Sequence, residues 1–433
     1  MAYSTFPIEQ GQELKVHVQP QHADVAIIGA GIVGLSTAWA LIEEGREVVL
    51  IDPGPPGGEA SSGNAATLAN YAVEPLARPS LLPTLPSLLF SPASPFHLRW
   101  RHLPRLTPWL LRFVGAARRS RTEHATRTLC HLLAPSLDDW LALHSSIQTD
   151  SEAAALHQRG ALYFFRRTRN WQLARSDFEA RQRLGVAQLY LNAQETAALE
   201  PALDGIAQGA ILFPEACHFG DPLRLANGLA KQLERRGATF IPARAVSLER
   251  HAHGVSILTD AGDWHAEQVV VAAGAWSQPL ARSAGDRIPL EVERGYHLEF
   301  SGAETLLSRP CCPAENAFYM TPLEGRLRIA GTVELGHPAD PANHARLAYL
   351  RRHAEAMFGP LGAASHEWLG LRPSLPDSLP VIGPAAIPNV TYAFGHGHLG
   401  LTLAPTTGRL VAASLAGKAP HWLRHCHASR FAR

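Results

Sequence analysis

Lysine is almost missing from this 433-residue chain: only Lys15, Lys231 and Lys418 occur, so 36 of its 39 basic residues are arginine. Chemistry that needs a buried Schiff-base lysine, as pyridoxal phosphate does, is disfavoured by that scarcity and by where the three stand. Cysteine is sparse too. The five (Cys130, Cys217, Cys311, Cys312 and Cys426) are odd in number and form no C-x-x-C pair, which argues against a secreted disulfide framework and against a zinc ribbon. The formal charge is only +1, so nothing points to nucleic acid. No run of about 18 apolar residues occurs, and no membrane-spanning helix is expected. Met1 to His22 lacks the basic start and apolar run of a signal peptide, which makes cytoplasmic residence the expectation. There is no G-x-S-x-G, no H-E-x-x-H and no P-loop. The H-x-H pairs at 251/253, 396/398 and 425/427 have no carboxylate cluster nearby, and no metal site is expected.

What the chain does have is an apolar strand, Asp24-Val-Ala-Ile-Ile, that runs into Gly29-Ala-Gly31-Ile32-Val33-Gly34 and then into a helical stretch closed by Gly45. Gly29 suits a tight turn, Gly31 a close backbone approach to a pyrophosphate, and Gly34 the packing of helix on strand. The helix N-terminus would add free N–H groups and a positive dipole end. The next strand, Glu47 to Asp52, ends in an acid 23 positions after Gly29, a placement that suits a carboxylate accepting from ribose hydroxyls. After it come Ser61, Ser62, Asn64 and other small residues, which suit a backbone wrapped around a bulky ligand.

From Pro75 to Thr122 the chain carries eight arginines, eight prolines and no acid, with Phe90, Phe96, Trp100, Trp109 and Phe113 interspersed. The prolines exclude one long helix; a short one is predicted with Thr107 as N-cap and Pro108 at its first position. Two readings stay open for this stretch: a peripheral membrane contact, or an arginine-rich exterior on a helical excursion, which the shortness of the amphipathic stripe favours. Residues 125–200 read as mostly helical, broken by a strand at 160–167. A strand at 209–214, a helix from Asp221-Pro222 to Gly237, a strand at 239–242 and a hairpin around 260–262 follow. The apolar run Gln268 to Trp276 reads as a strand buried on both faces, as in a parallel sheet. From Glu291 to Ala330 apolar and polar residues alternate, the mark of antiparallel strands with one face solvated or lining a cavity.

Near the C-terminus, the strand Val390–Phe394, the loop Gly395-His-Gly397-His398-Leu399-Gly400 and a helix over 404–416 repeat the G-x-G-x-x-G spacing. Too little chain follows for a second nucleotide fold. A helix N-terminus beside a cofactor still stabilises an anion, and a reduced flavin offers one at its N1/C2 carbonyl edge where a nicotinamide does not. The cofactor is therefore expected to be FAD.

These motifs, with Val269-Val-Val-Ala-Ala-Gly-Ala-Trp-Ser277 and Gly370-Leu-Arg-Pro-Ser-Leu-Pro-Asp-Ser-Leu-Pro-Val-Ile-Gly383, resemble the D-amino acid oxidase-like flavoproteins, closest to the bacterial D-amino acid dehydrogenases. The resemblance covers about Ala23 to Lys418. It implies an α/β fold with a Rossmann-like FAD-binding domain (22–75, 205–288 and 366–420) interleaved with an α+β substrate domain built on an antiparallel sheet (76–204 and 289–365). It places FAD against Gly29, Gly31, Ile32, Val33, Gly34, Asp52, Ser61, Ser62, Asn64, Val246, Ala273, Gly274, Trp276 and Gly397 to Thr402, that is Gly397, His398, Leu399, Gly400, Leu401 and Thr402. It makes Arg372 the clamp of a substrate carboxylate, a task that suits a planar guanidinium, and Tyr319 its helper. Tyr71, Tyr296, His297 and His398 are further candidates for the amine side.

The activity implied is oxidation of a D-amino acid at Cα, giving an imino acid that hydrolyses to a 2-oxo acid and ammonia, with electrons passed to a quinone or another acceptor and a peripheral contact with the inner membrane as a further implication. Two alternatives stay open: a secondary-amine enzyme acting on sarcosine, proline or hydroxy-D-proline, and a flavoprotein subunit of an electron-transfer complex. No cysteine stands in Ala317-Phe-Tyr-Met320, where the monomeric sarcosine oxidases tether their flavin, so non-covalent FAD is expected.

Overall fold

The computed structural model describes residues 21–84, 91, 94–147 and 155–432. Phe90 and most of Met1–His22 lie outside them. Among the described residues, no helix is long and apolar enough to cross a membrane.

Two large sheets organise the chain. The strands that matter for the site are β1 (Gln21–Ile28), β2 (Val48–Ile51), β3 (Ala161–Phe165), β4 (Gly209–Phe213), β5 (Thr239–Ile241), β6 (Trp264–Val271), β7 (Glu291–Ser301), β8 (Cys311–Pro313), β9 (Phe318–Leu323), β10 (Arg326–Leu335), β11 (His366–Ser374) and β12 (Val390–Phe394). Three helices matter equally: α1 (Ile32–Glu43), α2 (Pro222–Arg235) and α3 (Gly400–Leu415).

In the first sheet, β5, β2, β1, β6 and β12 lie side by side and parallel. Val25, Ile27, Val269, Val270 and Val271 are buried, because helices cover one face and the strands Ala245–His251 and Gly254–Thr259, with the helix Ser277–Ser283, pack on the other. This is why these strands are near-continuous apolar runs. The helices α1 and α3 pack so closely that a Cβ on Gly408 would stand 2.4 Å from the Ser36 carbonyl oxygen. The apolar run of β6 ends earlier than predicted. The strand stops at Val271, and Gly274, with φ of +52°, turns the chain into a 3-10 turn at Gly274–Trp276.

Among the described residues the second sheet has nine strands, eight of them in the order β11-β7-β10-β9-β8-β3-β4 and then Leu189–Asn192, with Phe96–Leu98 alongside β10. Pairing is antiparallel except between β8 and β3 and between Phe96–Leu98 and β10. One face packs on the helix His344–Phe358 and holds Tyr296, Leu298, Phe300, Phe318, Met320 and Ile329. Side chains alternate along each strand, so Glu293, His297, Tyr319 and Tyr163 belong to the opposite face, which meets the first domain. Two strands assigned from the sequence to the FAD-binding segments, β4 and β11, pair within this second sheet. A single-strand pattern does not say which sheet edge it will join.

The helix predicted to begin at Thr107 begins at Leu103. Pro104 stands in its first turn, where the missing N–H costs nothing, and the Thr107 hydroxyl donates back to the Leu103 carbonyl at 2.7 Å. The last helix, α3, starts at Gly400 rather than 404, directly out of the glycine loop.

Candidate functional site

Glycine makes the first half of the site. Gly29 has φ of +111°, and a Cβ there would stand 2.5 Å from the Ala272 carbonyl oxygen; one on Gly34 would stand 1.9 Å from the Gly29 carbonyl oxygen. Only glycine lets β1 turn into α1 this close to β6. Gly31 differs, since a Cβ there would meet only the Ser61 hydroxyl, at 3.3 Å. The Ser61 hydroxyl accepts from the Ile32 N–H at 2.9 Å, which lays the small-residue loop across the start of α1 near Val33. Asp52 closes the turn, its two carboxylate oxygens accepting from Ala30 N–H at 2.7 Å and Gly54 N–H at 2.8 Å.

The second glycine loop approaches from β12. Gly395 and Gly397 have φ of +82° and +56°, and Gly397 N–H donates to the Pro373 carbonyl at 2.8 Å, which ties the loop to β11. Leu399 is the N-cap of α3 and has no capping side chain, as Gly31 has none for α1. Neither helix carries an acid in its first turn. Two uncompensated positive dipole ends in one protein suit a large anionic ligand. Leu401 and Thr402 anchor the loop: the Leu401 carbonyl accepts from the Trp140 indole at 2.8 Å and the Thr402 hydroxyl from Ala69 N–H at 2.9 Å.

The second sheet supplies the other wall. The Arg372 side chain leans across β7 over Gly295, where a Cβ would lie 2.4 Å from its Cζ, and donates to the Thr332 carbonyl on β10 at 3.0 Å. Its cross-strand neighbour is Glu293, a buried carboxyl. Burial raises the Glu293 pKa; the Arg372 charge and a hydrogen bond with Ser374 act against that rise. Burial likewise lowers the pKa of Arg372, with Glu293 opposing. Glu293, Ser374, Gly397 and His398 together line a small cavity.

One strand beyond β10, about 5 Å away, Tyr319 stands on the same face as Arg372. Its hydroxyl is 2.7 Å from that of Tyr71 and 2.8 Å from that of Tyr163. Burial raises the pKa of all three, so each enters chemistry as a neutral hydroxyl. Tyr71 stacks on Phe213 with ring centroids 3.9 Å apart.

Arg372, Tyr319, Tyr71, His297 and His398 thus gather around the interface between the two sheets. Tyr296 does not. It is 1% exposed on the core face, where its hydroxyl donates to Glu334 at 2.9 Å and accepts from Asn343 N–H at 3.1 Å. Adjacent residues on a strand face opposite ways, so Tyr296 and His297 could not both reach the cleft. Val246 and Trp276 are 56% and 41% exposed, while Ala273 and Gly274 sit beside the Gly29 turn at the end of β6.

Sequence reasoning passed over Glu293, Tyr163 and Trp368. The first was legible, since it is two strand positions from Gly295 and four from His297. Tyr163 needed the β8–β3 join to bring it beside Tyr319. Trp368 stacks on His297 at 5.0 Å, and its ring fills the space that a Cβ on Gly63 or Gly370 would take.

The family model for FAD dependent oxidoreductases, DAO, matches residues 24–414. The chain is 37% identical over 421 residues to a D-amino-acid oxidase of Bradyrhizobium diazoefficiens, covering 93% of this chain and 97% of that one. It is 32% identical over 428 residues to D-amino acid dehydrogenase 2 of Ralstonia nicotianae, covering 92% and 97%. Among solved structures, glycine oxidase from Geobacillus kaustophilus superposes with a TM-score of 0.76 at 22% identity over 95% of this chain and all of that one. L-proline dehydrogenase from P. horikoshii does so with 0.71 at 17% identity, over 95% and 98%. These two likenesses establish the fold, a Rossmann-like domain joined to a sheet-built substrate domain. The tight strand-to-helix turn that only glycine at 29 and 34 permits, and the two helix N-termini that carry no acid, accord with a dinucleotide. The match over nearly the whole chain makes this protein a member of the FAD-dependent oxidoreductases of the DAO family, an enzyme whose cofactor is FAD.

Proposed function

We propose that this enzyme oxidises D-amino acids at Cα to imino acids, which water converts to 2-oxo acids and ammonia. The observation that carries the reading is Arg372 held flat over Gly295 on the same sheet face as the Tyr319, Tyr71 and Tyr163 hydroxyls. The D-amino-acid oxidase and dehydrogenase names of relatives at 37% and 32% identity support the substrate class.

In this reading, Gly29, Gly31, Ile32, Val33, Gly34, Asp52, Ser61, Ser62, Asn64, Ala273, Gly274 and the 397–402 loop hold FAD non-covalently. When bound, FAD accepts the Cα hydrogen with its electron pair. Arg372 takes the substrate carboxylate through two parallel hydrogen bonds, because one guanidinium nitrogen is braced by Thr332 and other donors stay free. A tyrosine hydroxyl, from Tyr319 or Tyr71, donates a further bond. Three neighbouring hydroxyls offer three protons, and two of those serve the links within the cluster, leaving one for the substrate. Fixing the carboxylate fixes the Cα–H direction, and that orientation is the enzyme's main contribution. The substrate amine reacts as the free base, so no strong base is required at Cα.

A quinone as electron acceptor, met at a membrane surface, belongs to the same proposal. Trp100, Leu111 and Val114 are 47%, 68% and 45% exposed on and beside the helix Leu103–Ala116, among exposed Arg101, Arg112, Arg118 and Arg119. Such a basic, apolar face supports docking on an anionic membrane surface, on the cytoplasmic side, with a quinone as acceptor.

Anaerobic titration of the yellow protein with D- and L-amino acids, sarcosine and hydroxyproline tests the reaction. Bleaching by D-amino acids, with faster recolouring by a quinone analogue than by air, is expected. Bleaching by none of them would leave the flavoprotein-subunit alternative standing. Co-sedimentation with phosphatidylglycerol vesicles, lost in Leu111→Glu, tests the docking.

A further inference from the structure

Five consecutive carbonyls of the loop that crosses the start of α1 are taken up, four of them by side chains of the second sheet. Arg328 donates from one guanidinium nitrogen to the carbonyls of Ser62 at 2.9 Å and Asn64 at 2.7 Å. His297 Nδ1 lies 3.0 Å from the Gly63 carbonyl, so that nitrogen carries the proton. The Thr321 hydroxyl donates to the Ala65 carbonyl at 2.9 Å, and Phe219 N–H to the Ala66 carbonyl at 2.9 Å. Arg328, His297 and Thr321 share the cleft face of the second sheet, being cross-strand neighbours on β10, β7 and β9. The loop is held in a conformation it would not choose, since Ala66 has φ of +59°. Asn64 completes it from within, donating to Ser61 and accepting from Ala66 N–H, both at 2.7 Å.

Arg328 is itself backed by a chain of charges. Its Nε and Nη2 reach one Glu299 oxygen at 2.8 and 2.7 Å. The other Glu299 oxygen ion-pairs with Arg326 at 3.0 Å, and Arg326 reaches Asp221 at 2.8 Å. The second Asp221 oxygen caps α2, accepting from Leu223 and Arg224 N–H at 2.8 and 3.1 Å. Two cations and two anions balance within a largely buried chain. Ion pairs of this kind add little net stability, because desolvation offsets their attraction; what they fix is geometry.

We infer that Arg328, backed by Glu299, Arg326 and Asp221, is a positioning residue for the cofactor loop, so that FAD affinity is set from the substrate sheet. With its carbonyls turned to the sheet, the loop presents its other edge to the cleft, and Ser61 meets the first turn of α1. The inference rests on the placement of FAD against this loop proposed above.

The test is reconstitution of apoprotein with FAD, followed by flavin fluorescence, in Arg328→Lys, Glu299→Gln and Thr321→Val. Lysine keeps the charge but cannot span two carbonyls and Glu299 at once. A tenfold or greater rise in the FAD dissociation constant is expected for Arg328→Lys and Glu299→Gln, and a smaller one for Thr321→Val. Apoprotein melting should change less than holoprotein melting. Unchanged FAD affinity with a lowered apoprotein melting temperature would reduce the chain of charges to a structural role and overturn the inference. If Arg328→Lys does not fold, Glu299→Gln and Thr321→Val decide by the same criteria. Gly31→Val separates the two readings: if it too leaves FAD affinity intact, the cofactor site itself is misplaced; if it alone loses FAD, only this inference falls.

Discussion

Gly295→Ala tests the clamp without touching a charged group. The added Cβ would stand 2.4 Å from Arg372 Cζ and Nη2 and 2.8 Å from Nε, whereas non-bonded carbon contacts settle at about 3.5 Å. The guanidinium must therefore rise by roughly 1 Å, which breaks its 3.0 Å bond to the Thr332 carbonyl. Gly295 is not in the left-handed region, so alanine strains no backbone and the perturbation is confined to the arginine. A displacement of about 1 Å in a positioning group can cost on the order of 100-fold in rate. Loss of one charged hydrogen bond of about 1.5–3 kcal/mol corresponds to roughly 10- to 150-fold in affinity. Steady-state kinetics with a D-amino acid should show KM raised within that range, with FAD content and circular dichroism unchanged. Arg372→Lys should behave alike. Parental KM and kcat in Gly295→Ala would show that the guanidinium over this glycine does not hold the substrate.

Gly34→Ala is expected to abolish FAD retention, because its Cβ would stand 1.9 Å from a backbone oxygen that cannot yield without parting α1 from β1; a yellow variant with full occupancy would contradict this. Tyr296→Phe should leave KM unchanged while lowering stability by about 1–3 kcal/mol, since Glu334 and Asn343 N–H lose their hydroxyl partner. Tyr319→Phe, which also removes a buried hydroxyl partner, should in addition raise KM, and an equal effect of the two on KM would refute the face assignment. Burial lowers the pKa of His218 and His297 to about 3 and of His396 to about 4. Each has a folded pKa below its ordinary 6.5, so the stability from keeping it neutral is present above pH 6.5 and lost as pH falls. The unfolding free energy from urea titrations should drop from pH 7 to pH 5, by at most about 1.4 kcal/mol per pH unit for each histidine. A flat profile would mean that these rings are hydrated.

The sequence by itself determined the dinucleotide fold, and for a local reason. The Gly29–Gly34 turn, the apolar strand before it and Asp52 after it lie within one short βαβ unit, where strand period, glycine placement and helix start constrain one another. The second glycine loop and the apolar character of β6 were legible on the same ground. The two-residue alternation of β7 also held the information that Tyr296 and His297 face opposite ways, although neighbouring residues of similar chemistry hid it. Only the tertiary structure decided how the walls of the site meet. Tyr163 reaches Tyr319 because β8 pairs in parallel with β3, a contact between segments some 150 residues apart. Arg328 finds the carbonyls of Ser62 and Asn64 across 264 to 266 positions. Side-chain type and spacing cannot specify such contacts, because they depend on which edges of two separately built sheets come together, and that is settled by the packing of whole domains.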